Sequence, residues 1–246
     1  MKTILGIVIA FAAPLLLAQQ PGGADDIPDF NGVWLAGGGG APQGGMGAPG
    51  GMGPPGGMGA TGGMGAPGGR TRAQVTREAQ RVMDDYDLLV DDPAYVCSAS
   101  SISRAWGNPT PTELEQHADR VILRHEYMDV ERIIYIDGRD HPADAEPNVF
   151  GNSIGWYEGS TLVIDTVGFS PSVISTVSGI PQTETLHAVE RLTLSDDGQT
   201  FRRELMYEDP ATFTAPWTSS RTYQRRPDIT MLPWDCVLED AGYEVN

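Results

Sequence analysis

Residues 152–169 read N-S-I-G-W-Y-E-G-S-T-L-V-I-D-T-V-G-F. Two runs rich in β-formers flank Glu158-Gly159, which predicts strands over 154–157 and 161–167 folded back at that dipeptide. Asp165 stands inside the second run, where an acid needs a partner or a purpose. With the turn at Glu158-Gly159, Asp165 shares a face with Val163, Ile154 and Trp156 and lies opposite Asn152. Two readings stay open: a polar pair at the end of a strand, or an acid beneath Trp156 in a cavity.

A second hairpin follows. In 186–194, Leu186, Ala188, Leu192 and Leu194 alternate onto one face, and Glu190 falls on that face with them. In 201–207, Phe201, Leu205 and Tyr207 share a face with Arg203. A turn at Asp196–Gln199 joins the two apolar faces in register and sets Glu190 diagonal to Arg203. A buried carboxylate without a partner costs several kcal/mol, on the order of a lost ion pair, so the pairing is the natural solution. It is either a core ion pair or part of a cavity lining that binds or activates a ligand.

The other β-like runs are 29–34 with a buried Trp34, 121–127, 132–136 broken from its predecessor near Asp129, and 219–225. Helical spacing of Val75, Ala79, Val82, Met83 and Tyr86 predicts a helix over 71–86, capped by Thr71. Thr112 with Glu115 resembles a capping box opening a short helix over 111–118. Strand after strand with Gly and Asp turns predicts an all-β fold: an antiparallel lipocalin-like barrel, or a sandwich, preceded by short helices.

Residues 1–18 have the parts of a signal peptide: Lys2, an apolar run from Ile4 to Leu17, and a small residue at Ala18. That run is short of the roughly 20 residues a membrane span needs. An N-terminal segment, 19–43, carries the first strand. Residues 44–69 repeat G-G-M-G-x-x, a composition expected of a flexible tether. Its evenly spaced thioethers also suit Cu(I), so copper handling is a further reading. Residues 70–246 remain for the barrel domain, one core in size. Cys97 and Cys236 are the only cysteines. In an oxidising compartment they are expected to form a disulfide, stabilising by about 4 kcal/mol.

The formal net charge is −17. So acidic a surface repels phosphate backbones and anionic lipid heads, which argues against nucleic-acid and membrane-surface roles. Residues 137–142, D-G-R-D-H-P, form a turn after a strand, where Arg139 and the general-base candidate His141 would stand with Asp137. His187, opposite the apolar face of its strand, is expected on the surface or under a helix, and His125 is given no role. The chain contains no H-E-x-x-H and no phosphate loop, so no metal or cofactor is expected.

At these same residues the chain resembles a large family of uncharacterised secreted bacterial proteins whose recurring phrase is S-I-G-x-W-E-G-D-T-L-V-V-D-T-x-x-F. D-G-R-x-H-P at 137–142, L-H-x-V-E-R at 186–191 and E-D-P-x-x-[YF]-T-x-P-W at 208–217 match as well, and the likeness runs from Asp91 onward. The chain departs from the phrase at Tyr157, where the family has Trp, and at Ser160, where it has Asp. The resemblance implies a shape and a secreted or periplasmic location, not a reaction. The G-x-W at 32–34 is similar to lipocalin-type barrels.

The expected function is binding of a small, partly apolar molecule. Trp156, Trp34 and Tyr207 would supply contact area, and Arg203, Arg139, Glu190 and Asp165 would orient it. The alternative is an acid–base hydrolase, isomerase or lyase using Glu190, Asp165 and His141 in the barrel mouth.

Overall fold

A computed structural model of the protein describes residues 27–37 and 72–237. The signal peptide expected over 1–18 and the Gly/Met tract of 44–69, with its copper reading, lie outside the described residues.

Nine strands close into a barrel: β1 (Gly32–Ala36), β2 (Thr112–Gln116), β3 (Arg120–His125), β4 (Val130–Tyr135), β5 (Asn152–Glu158), β6 (Thr161–Val167), β9 (His187–Leu194), β10 (Thr200–Glu208) and β11 (Trp217–Arg225). Around the wall the order is β1-β11-β10-β9-β6-β5-β4-β3-β2. A separate ribbon, β7 (Ser172–Ser175) with β8 (Ile180–Gln182), is inserted between β6 and β9. β1 pairs with both β11 and β2, so the barrel is built from both sides of the tract.

Alternation fixes which residues face inward. Val121, Leu123 and His125 of β3, Val130, Arg132 and Ile134 of β4, and Ala188, Glu190 and Leu192 of β9 are all buried, with more exposed residues between them. The β9–β10 register is the one expected from the apolar faces: Leu194 pairs with Phe201 and Glu190 with Leu205, leaving Arg203 diagonal to Glu190. The β5–β6 hairpin turns one residue later than expected, with Glu158 paired to Thr161 and Gly159-Ser160 at the corner. Gly159 has φ +56°, which a glycine adopts without strain. Asp165 therefore pairs with Ile154 rather than Asn152, and an even shift keeps its face unchanged.

The wall is antiparallel except at one seam. β4 and β5 run parallel and share only two residue pairs, Ile134 with Ser153 and Tyr135 with Ile154. The chain crosses over between them through residues 136–151, as a parallel neighbour requires.

Two helical expectations are corrected. Residues 112–116 form β2, not a helix: Thr112 and Leu114 face the core, and pairing with β1 and β3 overrides the capping-box pattern. The earlier helix is α1 (Arg77–Asp85), and its cap is Thr76, whose hydroxyl accepts from the Ala79 amide. α2 (Leu88–Asp91) and α3 (Ile102–Gly107) follow.

α3 carries Trp106 into the barrel interior, where its ring packs edge-on against His125 and Tyr223. Tyr223 donates to the Trp106 carbonyl at 2.9 Å. Trp34, Phe30 and Phe201 pack beside them, so large side chains fill the interior. The segment after β11 is strapped to the rest of the molecule by four contacts. Leu232 and Trp234 amides donate to Glu126 and Asp129, Trp234 packs on Tyr127, and Cys236 is disulfide-bonded to Cys97. No described helix is long and apolar enough to cross a membrane.

Candidate functional site

Inside the barrel, Glu190 is the centre of a buried charge cluster. Arg203 Nε donates to its Oε1 at 2.9 Å, Trp106 Nε1 donates to the same oxygen at 2.8 Å, and Arg132 Nη2 lies 2.7 Å from Oε2. Three strands and a helix are needed to assemble it: β9 supplies Glu190, β10 Arg203, β4 Arg132 and α3 Trp106. Burial by itself pushes the Glu190 carboxyl up, but the guanidiniums of Arg132 and Arg203 more than reverse this and hold it at about 2. His125 accepts or donates at Nδ1 with the Thr112 hydroxyl, 2.9 Å away. Burial, reinforced by the nearby Arg132 charge, pushes the His125 imidazole down to about 3, so it is neutral.

Two guanidiniums face one carboxylate, which leaves the cluster with one uncompensated positive charge. Among the described residues neither arginine has a second acidic partner. Arg132 Nε and Nη1 and Arg203 Nη2 are buried without a hydrogen-bond partner.

Arg132 also belongs to the wall of an open cleft of about 370 Å³ beside the β4–β5 seam. Because those strands share only two pairs, they part on the side of Arg132 and Asn152. Arg132 and Ser153 are the buried part of the lining, and Arg132 Nη2 sits 3.3 Å from the Ser153 hydroxyl. Tyr135, Ile154, Phe150 and Pro142 give the cleft apolar walls. Arg139 stands at the rim, its guanidinium 3.7 Å from the Tyr135 ring centroid and paired to Asp137. Asn152 Nδ2, also in the lining, is buried and unpartnered.

A second polar group lies on the outer face of the wall. Asp165 bridges two imidazoles: His141 Nε2 at 2.7 Å from Oδ1 and His187 Nε2 at 2.8 Å from Oδ2. His187 Nδ1 is 3.6 Å from Glu208. Among the described residues no group of three or more His, Cys, Asp or Glu side chains is arranged to hold a metal ion. The structural effect of the His141–Asp165 bond is plain: it ties down the 137–142 loop whose Arg139, Asp140 and Pro142 form the cleft rim.

The residues singled out in the sequence thus fall into separate places. Glu190 points into the barrel, whereas Asp165 and His141 meet outside it, so the expectation that these three converge on one barrel mouth is corrected. Side chains of opposite parity on neighbouring strands cannot share a face. Trp34 and Tyr207 are fully buried in packing: Trp34 donates to the Phe30 carbonyl, and the Tyr207 hydroxyl receives from Ser103. Trp156 is exposed on the outside, donating to Glu158. Arg203 is in the buried cluster, and Arg139 alone of the expected ligand contacts lines the open cleft. Sequence reading missed Arg132, Trp106, His125 and Asn152. The period-two pattern that exposed Glu190 also runs through Val130, Arg132 and Ile134 and could have flagged Arg132.

No protein-family model matches the chain, and no curated protein is similar to it. Among solved structures the chain is similar to a mutant of the fluorescent protein UnaG, at 10% sequence identity, over 80% of this chain and 96% of that one, with a TM-score of 0.31.

Proposed function

We propose that this is a secreted, periplasmic β-barrel protein that binds a small, partly apolar molecule in the cleft beside the β4–β5 seam. The observation that carries the reading is the contrast between a filled interior and an open, half-apolar recess at the seam that has the buried polar side chains of Arg132 and Ser153 at its base. Its volume is at the lower end of the roughly 300–1,000 Å³ typical of small-molecule sites. The Cys97–Cys236 disulfide supports an oxidising location. The motif resemblance to secreted bacterial proteins fits the same assignment. An acid–base reaction is the weaker alternative, because Glu190 and the His141–Asp165 pair are on opposite faces of the wall.

Native mass spectrometry of protein purified from its own periplasm tests the reading. Wild-type protein is expected to carry a small molecule, and Ile154→Trp, which narrows the cleft from its outer wall, is expected to lose it. A variant that retains as much as wild type would refute the cleft as the site. Wild-type protein that is empty and takes up nothing from a host extract would refute binding altogether.

A further inference from the structure

The Arg132–Glu190–Arg203 cluster is one anion short, and we propose that the molecule held in the cleft supplies it, as a carboxylate paired with Arg132; this rests on the binding reading above. Three observations lead there. The cluster carries a net positive charge in a place where charge is costly. Arg132, only 4% exposed, keeps Nε and Nη1 unpartnered while lining the cleft. Asn152 adds a third buried, unpartnered donor to the same lining, and no buried unpartnered acceptor accompanies it there.

A water molecule would satisfy a donor and leave the charge. A neutral ligand group would do the same. A carboxylate does both, because its oxygens accept from N–H donors and its single negative charge balances the single excess positive one. A phosphate near neutral pH carries about 1.5 to 2 negative charges and would overshoot. The rest of the lining describes the rest of the ligand: Tyr135, Phe150 and Ile154 call for an aromatic or aliphatic body. Of the two acids in the lining, Glu131 is paired with Arg124 at 3.0 Å, and Asp140 is exposed at the rim, where solvent and salt screen its charge. The acidic exterior repels free anions, but that field is screened over about 8–10 Å, and recognition occurs at short range.

The test uses a matched pair, 3-phenylpropanoate and 3-phenylpropanamide, titrated calorimetrically into the mature protein at constant ionic strength and neutral pH. The acid is expected to bind at least tenfold more tightly than the amide. Arg132→Gln leaves a balanced Glu190–Arg203 pair and is expected to erase that difference. Equal affinities for acid and amide would overturn the anion inference while leaving the cleft reading intact; binding of neither would overturn both. A preference that survives in Arg132→Gln would place the anion elsewhere. Ile154→Trp touches none of the buried charges and serves as a second variant: it should abolish acid binding, and undiminished binding would overturn the proposal.

Discussion

At the scale of single residues, Glu190 controls the interior. Removing its charge would leave two buried guanidiniums facing each other, so Glu190→Ala is expected to destabilise the fold by about 3–5 kcal/mol, read as a lower denaturant midpoint. The same cluster sets a response to acid. Glu190 has its folded pKa depressed from an ordinary 4.5 to about 2, so it contributes stability above 4.5 that is lost as pH falls toward 2. His125 is depressed from 6.5 to about 3 because burial excludes its charged form. The unfolded chain then takes up the His125 proton first, and stability is lost between about 6.5 and 3. Chemical denaturation across this range should show stability falling from pH 6.5 downward and more steeply below 4.5. In His125→Phe the upper part of that decline should vanish, and a decline that persists would mean that His125 is not its source. The Glu190–Arg203 contact was legible in the sequence because two neighbours in one hairpin have their register fixed by a short turn. Arg132 was not, since β4 lies three strands from β9 around the wall and no local pattern says which charged residues will meet across a barrel.

At the scale of elements, β5 is shaped by what it cannot accommodate. A Cβ on Gly155 would stand 2.8 Å from the Val163 carbonyl oxygen and 2.9 Å from Ile134 Cγ2. Gly155→Ala should therefore cost about 1–3 kcal/mol through overpacking, measured by urea unfolding. The same substitution at Gly159 meets no neighbour within 4 Å but forces a side chain onto φ +56°. Its expected cost is smaller, about 1 kcal/mol. Strand pairs joined by tight turns could be read from residues 152–207, because alternation and turn chemistry agree there. Residues 112–116 misled, because a Thr and a Glu three apart read as a helix cap until long-range pairing claims them for a strand. The ribbon of β7 and β8 was equally silent, its short runs being interrupted by Pro181 and Ser residues. Face parity for Asp165 was legible, but not that its face looks outward: alternation separates two faces without saying which is the core.

At the scale of the whole molecule, the barrel and the disulfide followed from strand count and cysteine count, while the cleft did not. It arises from a single parallel seam, and which strands become neighbours after a 16-residue crossover is not written in either strand. The Cys97–Cys236 bridge joins residues 139 positions apart in the sequence. Loop-closure entropy then predicts that reduction lowers stability by about 2–5 kcal/mol, seen as a depressed melting temperature in reductant. Unchanged melting on complete reduction would show that the strap after β11 is held by its other contacts. The position of β1 carries a consequence for biosynthesis. The first of the described strands is paired with the last, Trp34 with Arg225, and it stands between β2 and β11 in the wall. Until β11 emerges the nascent chain has two bare sheet edges, the arrangement most prone to pair with a stranger. Any truncation or translational pause before residue 217 should therefore yield aggregating fragments rather than a smaller, intact protein.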